Sequence, residues 1–178
     1  MRSAFALVIS ASLLASACSA SPPIHWAEGG SPVVLSRARW DRPDGPIDVL
    51  DDGRVLVGGS HVWTIDRVGR VVDEENSPIA LLLPDGNLAG PDHKALGYIG
   101  QSNTSPPGES WAWVSIAPGG QVIRFDADGN RYAGGIWSGC EGPQIRVCAL
   151  VTHLVALREQ TSRSGVSVGV GFGMTVIR

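Results

Sequence analysis

Three cysteines, four histidines and a scatter of carboxylates are the side chains of this sequence able to bond, ligate or move a proton. Cys140 and Cys148, in WSGCEGPQIRVCAL, are separated by seven residues that include Gly142 and Pro143, so a bend bringing the thiols together is encoded locally. In an oxidising compartment this spacing predicts a disulfide closing a small loop, worth about 2 kcal/mol in chain entropy. A metal centre would need two further ligands, and the nearest histidine, His153, has no carboxylate or thiol at ligand spacing. No H-E-x-x-H, phosphate-loop or dinucleotide glycine pattern occurs. DADGN sets Asp126, Asp128 and Asn130 as alternating oxygens, like a calcium loop. Its glycine is misplaced and no glutamate completes it, so a hairpin turn is expected. The acidic run DEEN (73–76) reads as a solvated loop, and neither metal nor cofactor is expected.

Tryptophan is over-represented, six against two tyrosines and three phenylalanines, which directs attention to flat apolar surfaces. Trp111 and Trp113 in SWAWVSI fall on one face of a predicted strand, where paired indoles could stack on a sugar ring or fill a core. The repeat described below equates His61 with His93, and these four residues form the candidate ligand-binding set. A glycan hydrolase, the alternative function, would have to draw its carboxylate pair from loop residues such as Asp92, Glu109 or Glu141, and nothing in their spacing selects one. The formal net charge is −3 and no basic stripe exists, so a nucleic-acid partner is not expected. The residues favour a non-catalytic binding or interaction module whose partner is an envelope protein or a glycan.

The third cysteine carries a different chemistry. Met1 and Arg2 precede AFALVISASLLA, an uncharged segment too short for a spanning helix of about 20 residues, and Ala15, Ser16 and Ala17 follow. This is the form of a secretory signal over residues 1–17. Cleavage before Cys18, within LLASAC, resembles the lipobox of bacterial lipoproteins, although Ala15 stands where that family usually has leucine. Ordinary signal cleavage after Ala17 or Ala20 is the alternative. The resemblance implies that Cys18 takes a diacylglyceryl thioether and becomes the new amino terminus, anchoring the protein in a membrane of the cell envelope. The serine after it resembles lipoproteins sent to an outer membrane. Assigning Cys18 to lipid also leaves an even number of thiols.

The elements that position these residues are short. Residues 18–32, rich in Ser, Pro and Gly, read as a tether, leaving residues 33–178 as one β-rich domain. Gly53, Gly86 and Gly120 recur at spacings of 33 and 34, each between two apolar runs, which predicts hairpins with two-residue type I′ turns. The phrases resemble β-propeller blades, and the expectation is an all-β domain of antiparallel, propeller-like hairpin repeats. At the C-terminus Val166, Val168, Val170, Phe172, Met174 and Val176 alternate with small residues. That strand is expected to form a long hairpin with RVCALVTHLVALRE, whose Leu150, Val151, Leu154 and Leu157 would equally suit a helix.

Overall fold

A computed structural model describes residues 20–163. Cys18 and the alternating run 166–176 lie outside them. The described chain forms strands β1 (Ala38–Asp41), β2 (Ile47–Val49), β3 (Arg54–Val57), β4 (Ser60–Ile65), β5 (Arg70–Asp73), β6 (Pro78–Leu82), β7 (Asn87–Ala89), β8 (Ala95–Ile99), β9 (Asn103–Ser105), β10 (Val114–Ile116), β11 (Gln121–Phe125) and β12 (Arg131–Ser138), then helix α1 (Ile145–Arg163). Every strand pairs antiparallel with its neighbours in sequence, and β1 pairs with β12, so the sheet closes into a barrel. Propeller blades would be separate small sheets around an axis. The all-β, antiparallel expectation therefore stands for the strands, while the propeller-like arrangement is replaced by one continuous wall.

The expected C-terminal hairpin is also corrected, because RVCALVTHLVALRE belongs to α1. Residues 147–156 are buried without interruption, which requires neighbours on every face of the helix. The barrel supplies them. Eight strands make a barrel whose wall side chains just fill the interior, and width grows with strand number. Twelve leave room for a helix about 10 Å across.

Inward and outward residues alternate as a one-sided wall demands. In β1, Ala38 and Trp40 are buried while Arg39 and Asp41 are exposed, and outside the barrel Arg39 reaches Asp41 and Asp48 at 3.0 Å. Closure brings together chain segments about a hundred residues apart, and it is sealed by aromatic contact. Trp40 and Trp137 are register partners across β1 and β12, stacked with ring centroids 5.5 Å apart. The indole Nε1 of Trp40 donates to Gly134 O (2.8 Å), and that of Trp137 donates to Thr152 Oγ1 of α1 (3.0 Å). The seam is thus bonded to the helix it encloses.

The two ends of the barrel differ. At one end the turns are laced together: Ile65 N donates to Gly53 O, Leu82 N to Gly69 O, Ile99 N to Gly86 O, Ile116 N to Ser102 O and Trp137 N to Gly120 O, at 2.7–2.9 Å. Each turn leans on the following hairpin, so the repeat is 16–18 residues, half the spacing visible in the glycines 53, 86 and 120. Gly53 shows what the turn needs. Its φ is +89° whereas Asp52 has none of the positive φ that type I′ requires, so the loop is a type I turn followed by a left-handed residue. A Cβ on Gly53 would also lie 1.9 Å from Ile65 O. Type I′ geometry occurs instead at Gly58 and Gly59, with φ of +58° and +88°.

Helix α1 enters through the laced end and is fixed there. Cys140 and Cys148 form the expected disulfide, joining the end of β12 to the first turn of the helix. Buried Gln144 pairs with the backbone of Ser36, accepting from Ser36 N at 3.1 Å and donating to Ser36 O at 2.8 Å. The expected tether does not stand free within the described residues. Gly30 N and Ser31 N donate to Val68 O and Leu82 O, and Arg70 donates to the carbonyls of Trp26 and Ala27. This segment covers Leu81, which explains why the run Ile79 to Leu82 is buried on both of its faces.

Breaking the disulfide should loosen α1 at its root. Cys140→Ser/Cys148→Ser is expected to unfold in urea with a stability about 2 kcal/mol below wild type at unchanged slope; equal midpoints would show that Gln144 and the core hold the helix unaided.

Candidate functional site

The interior polar groups sit halfway along α1. His153 is fully buried; its Nε2 meets Leu96 O at 2.7 Å and its Nδ1 accepts from Trp113 Nε1 at 3.0 Å. The carbonyl partner needs an N–H at Nε2 and the indole N–H needs a lone pair at Nδ1, so the ring is neutral with its proton on Nε2. Trp113 Nε1 also meets Thr104 Oγ1 at 2.8 Å. Burial pushes the His153 pKa down to about 4, against a smaller opposing effect of the Leu96 carbonyl. Gly97 makes this approach feasible, because a Cβ there would lie 2.6 Å from His153 Cε1. The adjacent Thr152 accepts from Trp137 and donates to Cys148 O at 2.7 Å.

Trp113 is therefore a core residue and offers no open stacking face. Trp111 is half-buried and packs against the same core. Of the other ligand-binding candidates, His61 is the second residue of β4 and its Nε2 meets Thr64 Oγ1 at 2.9 Å, while His93 is exposed in the turn between β7 and β8 with φ +60°. Both lie at the end opposite the laced turns, on hairpins separated by the intervening strands. Among the carboxylates, Asp92 and Glu109 belong to turns at that same end, whereas Glu141 precedes α1 at the laced end. No pair including Glu141 can act with the other two across the length of the barrel. Asp126 is committed to its turn: it accepts from Asp128 N, Asn130 N, the Asn130 amide and Tyr132 Oη. The Asn130 and Tyr132 side chains foremost hold its pKa down to about 2. No group of three or more potential metal ligands occurs among the described residues.

What the sequence did not disclose is the mouth of the barrel, where α1 emerges. Two clefts flank the helix there. One, of about 340 Å³, lies between Arg42, Ile47, Val57 and the helix residues Val155 and Glu159. The other, of about 310 Å³, is lined by Ile79, Leu96, Pro107, Leu154 and Leu157, with Lys94 beside them. Both volumes fall at the lower end of small-molecule sites, about 300–1,000 Å³. Trp63 and Arg158 border both clefts. The Nε1 of Trp63 is the one buried side-chain polar atom without a hydrogen-bond partner among the described residues. Trp40, Trp113 and Trp137 all place theirs.

Charge fixes the helix at this end. Glu159 accepts from Arg42 at 2.8 Å and from Arg124 at 2.7 Å, and the Arg42 guanidinium also lies 5.3 Å from the centre of the Trp40 ring. Burial alone would raise the Glu159 pKa, but the hydrogen bonds and charges of Arg124 and Arg42 outweigh it, and the net shift is downward. The carboxylate lining the first cleft is therefore an ionised strut between wall and helix.

The enclosed imidazole gives the molecule an acid-sensitive core. The unfolded chain takes up a proton at His153 near its ordinary 6.5, while the folded chain resists until about 4, so stability is complete above about 6.5 and falls between those values. Urea unfolding as a function of pH should show wild type losing about 3 kcal/mol more than His153→Gln over that interval. Parallel curves would contradict a neutral, buried ring. No protein-family model matches the chain, and neither a similar curated protein nor a similar solved structure was found.

Proposed function

We propose that this chain is an exported lipoprotein of the bacterial cell envelope, held at the outer membrane through Cys18, whose barrel is a non-catalytic binding module. The observation that carries the binding role is the clefted mouth: two recesses with apolar walls and cationic rims, beside a helix that fills the rest of the interior. The carboxylate of the clefts and the imidazole of the interior are already engaged in structure. Glu159 is gripped by two arginines, and His153 is enclosed with both ring nitrogens bonded. Such a site holds a molecule by shape and charge and presents no poised acid, base and nucleophile. The anchoring role is supported by cysteine pairing. With Cys140 joined to Cys148, the cysteine at the end of LLASAC is the one left for another bond.

Metabolic labelling with a fatty-acid analogue in a bacterial host is expected to mark the wild-type protein in the membrane fraction and to leave Cys18→Ser unmarked. Equal labelling of the two, or a soluble unlabelled wild type, would remove the anchor from this account.

A further inference from the structure

The start of the described chain lies at the barrel mouth. Ser21 and Asp92 bond reciprocally, Ser21 N donating to Asp92 Oδ1 at 2.9 Å and Asp92 N to Ser21 O at 3.0 Å. Asp92 is two residues from Lys94, at the rim of the apolar cleft. Three residue steps separate Ser21 from Cys18, a reach of at most about 11 Å. An acyl anchor on Cys18 would therefore tie the clefted end of the barrel, and not the laced end, to the lipid surface.

The linings of the clefts differ in charge from the turns around them, which carry Asp44, Glu74, Glu75, Asp92 and Glu109. The clefts are bordered by three cations, Arg42, Lys94 and Arg158, against one carboxylate, Glu159, in a chain whose formal net charge is −3. Lys94 is the only lysine of the sequence, and its ammonium forms no ion pair among the described residues. A cation standing over a recess walled by Ile79, Leu96, Leu154 and Leu157 is complementary to an anionic head carrying an apolar chain. Trp63, with its unpartnered indole N–H, borders the same recess.

We propose that the cleft beside Lys94 takes the acyl chain of a single-chain anionic amphiphile drawn from the membrane, with the head group at Lys94. The proposal deepens the binding-module assignment and rests on it. The test uses the chain from residue 18 onward with Cys18→Ser, so it does not depend on lipidation. Isothermal titration with dodecanoate, followed in parallel by tryptophan fluorescence, should give saturable one-to-one binding. Lys94→Gln, an exposed change with no ion pair to lose among the described residues, should bind about tenfold more weakly. Ala95→Trp, which fills the cleft from an exposed strand position, should abolish binding while leaving the circular dichroism spectrum unchanged. Absence of saturable binding would overturn the proposal, as would equal affinity for dodecyltrimethylammonium. Binding that emerges only after residues 164–178 are removed would also overturn it, since the cleft would then belong to the chain's own C-terminus. Dodecanoate recovered chemically altered would leave the site standing and overturn the non-catalytic assignment instead.

Discussion

A closed wall of twelve strands encloses more space than its own side chains can fill, and the rest of the molecule follows from how that space is occupied. Helix α1 is the filling. Its ten consecutive buried residues, 147–156, meet wall on all sides, so the barrel and the helix are two halves of one core. The polar atoms that the helix carries inside are each placed. Thr152 bonds to the seam through Trp137, and His153 bonds to Trp113 and to the β8 carbonyl of Leu96. A buried polar group left unpaired costs about 1–3 kcal/mol, and these partners avoid that cost while fixing the rotation of the helix.

The helix also makes the two ends unlike. Where it enters, the disulfide, the Gln144 clasp on Ser36 and the chain of turn carbonyls produce a continuous bonded rim. Where it leaves, longer loops and two arginines converging on Glu159 hold it at a few points. Space between those points becomes cleft. A rigid laced base and a loosely closed mouth are the division expected when a fold carries its binding surface on loops presented by a fixed frame.

Much of the wall was legible in the sequence, because apolar runs around D-G and G-G pairs have few other uses. The Cys140–Cys148 bridge was legible for the same local reason, the Gly142-Pro143 bend. Three things were not. The glycine repeat at 33–34 residues concealed a period half as long, since Ser102 and Gly69 do the work of Gly53 in unlike sequence contexts. The helix read as a strand because a helix buried all round has no polar face to mark its period, and Val147, Val151, Thr152 and Val155 are β-branched. The mouth was invisible because its lining comes from β2, β3, β4, β6, β8, the loop holding Pro107 and the last turns of α1, brought together only by closure of the sheet. Trp113 and His153 are 40 residues apart, and no spacing rule pairs them.

If wall and helix form one core, neither can open without the other. Native-state hydrogen exchange measures this directly, amide by amide. The amides of residues 151–156 in α1 should exchange only through global unfolding, with the same free energy and denaturant dependence as those of the β1–β12 seam. Exchange of the helix amides through a smaller opening, while the seam stays protected, would show that the barrel stands without its helix and would contradict the account.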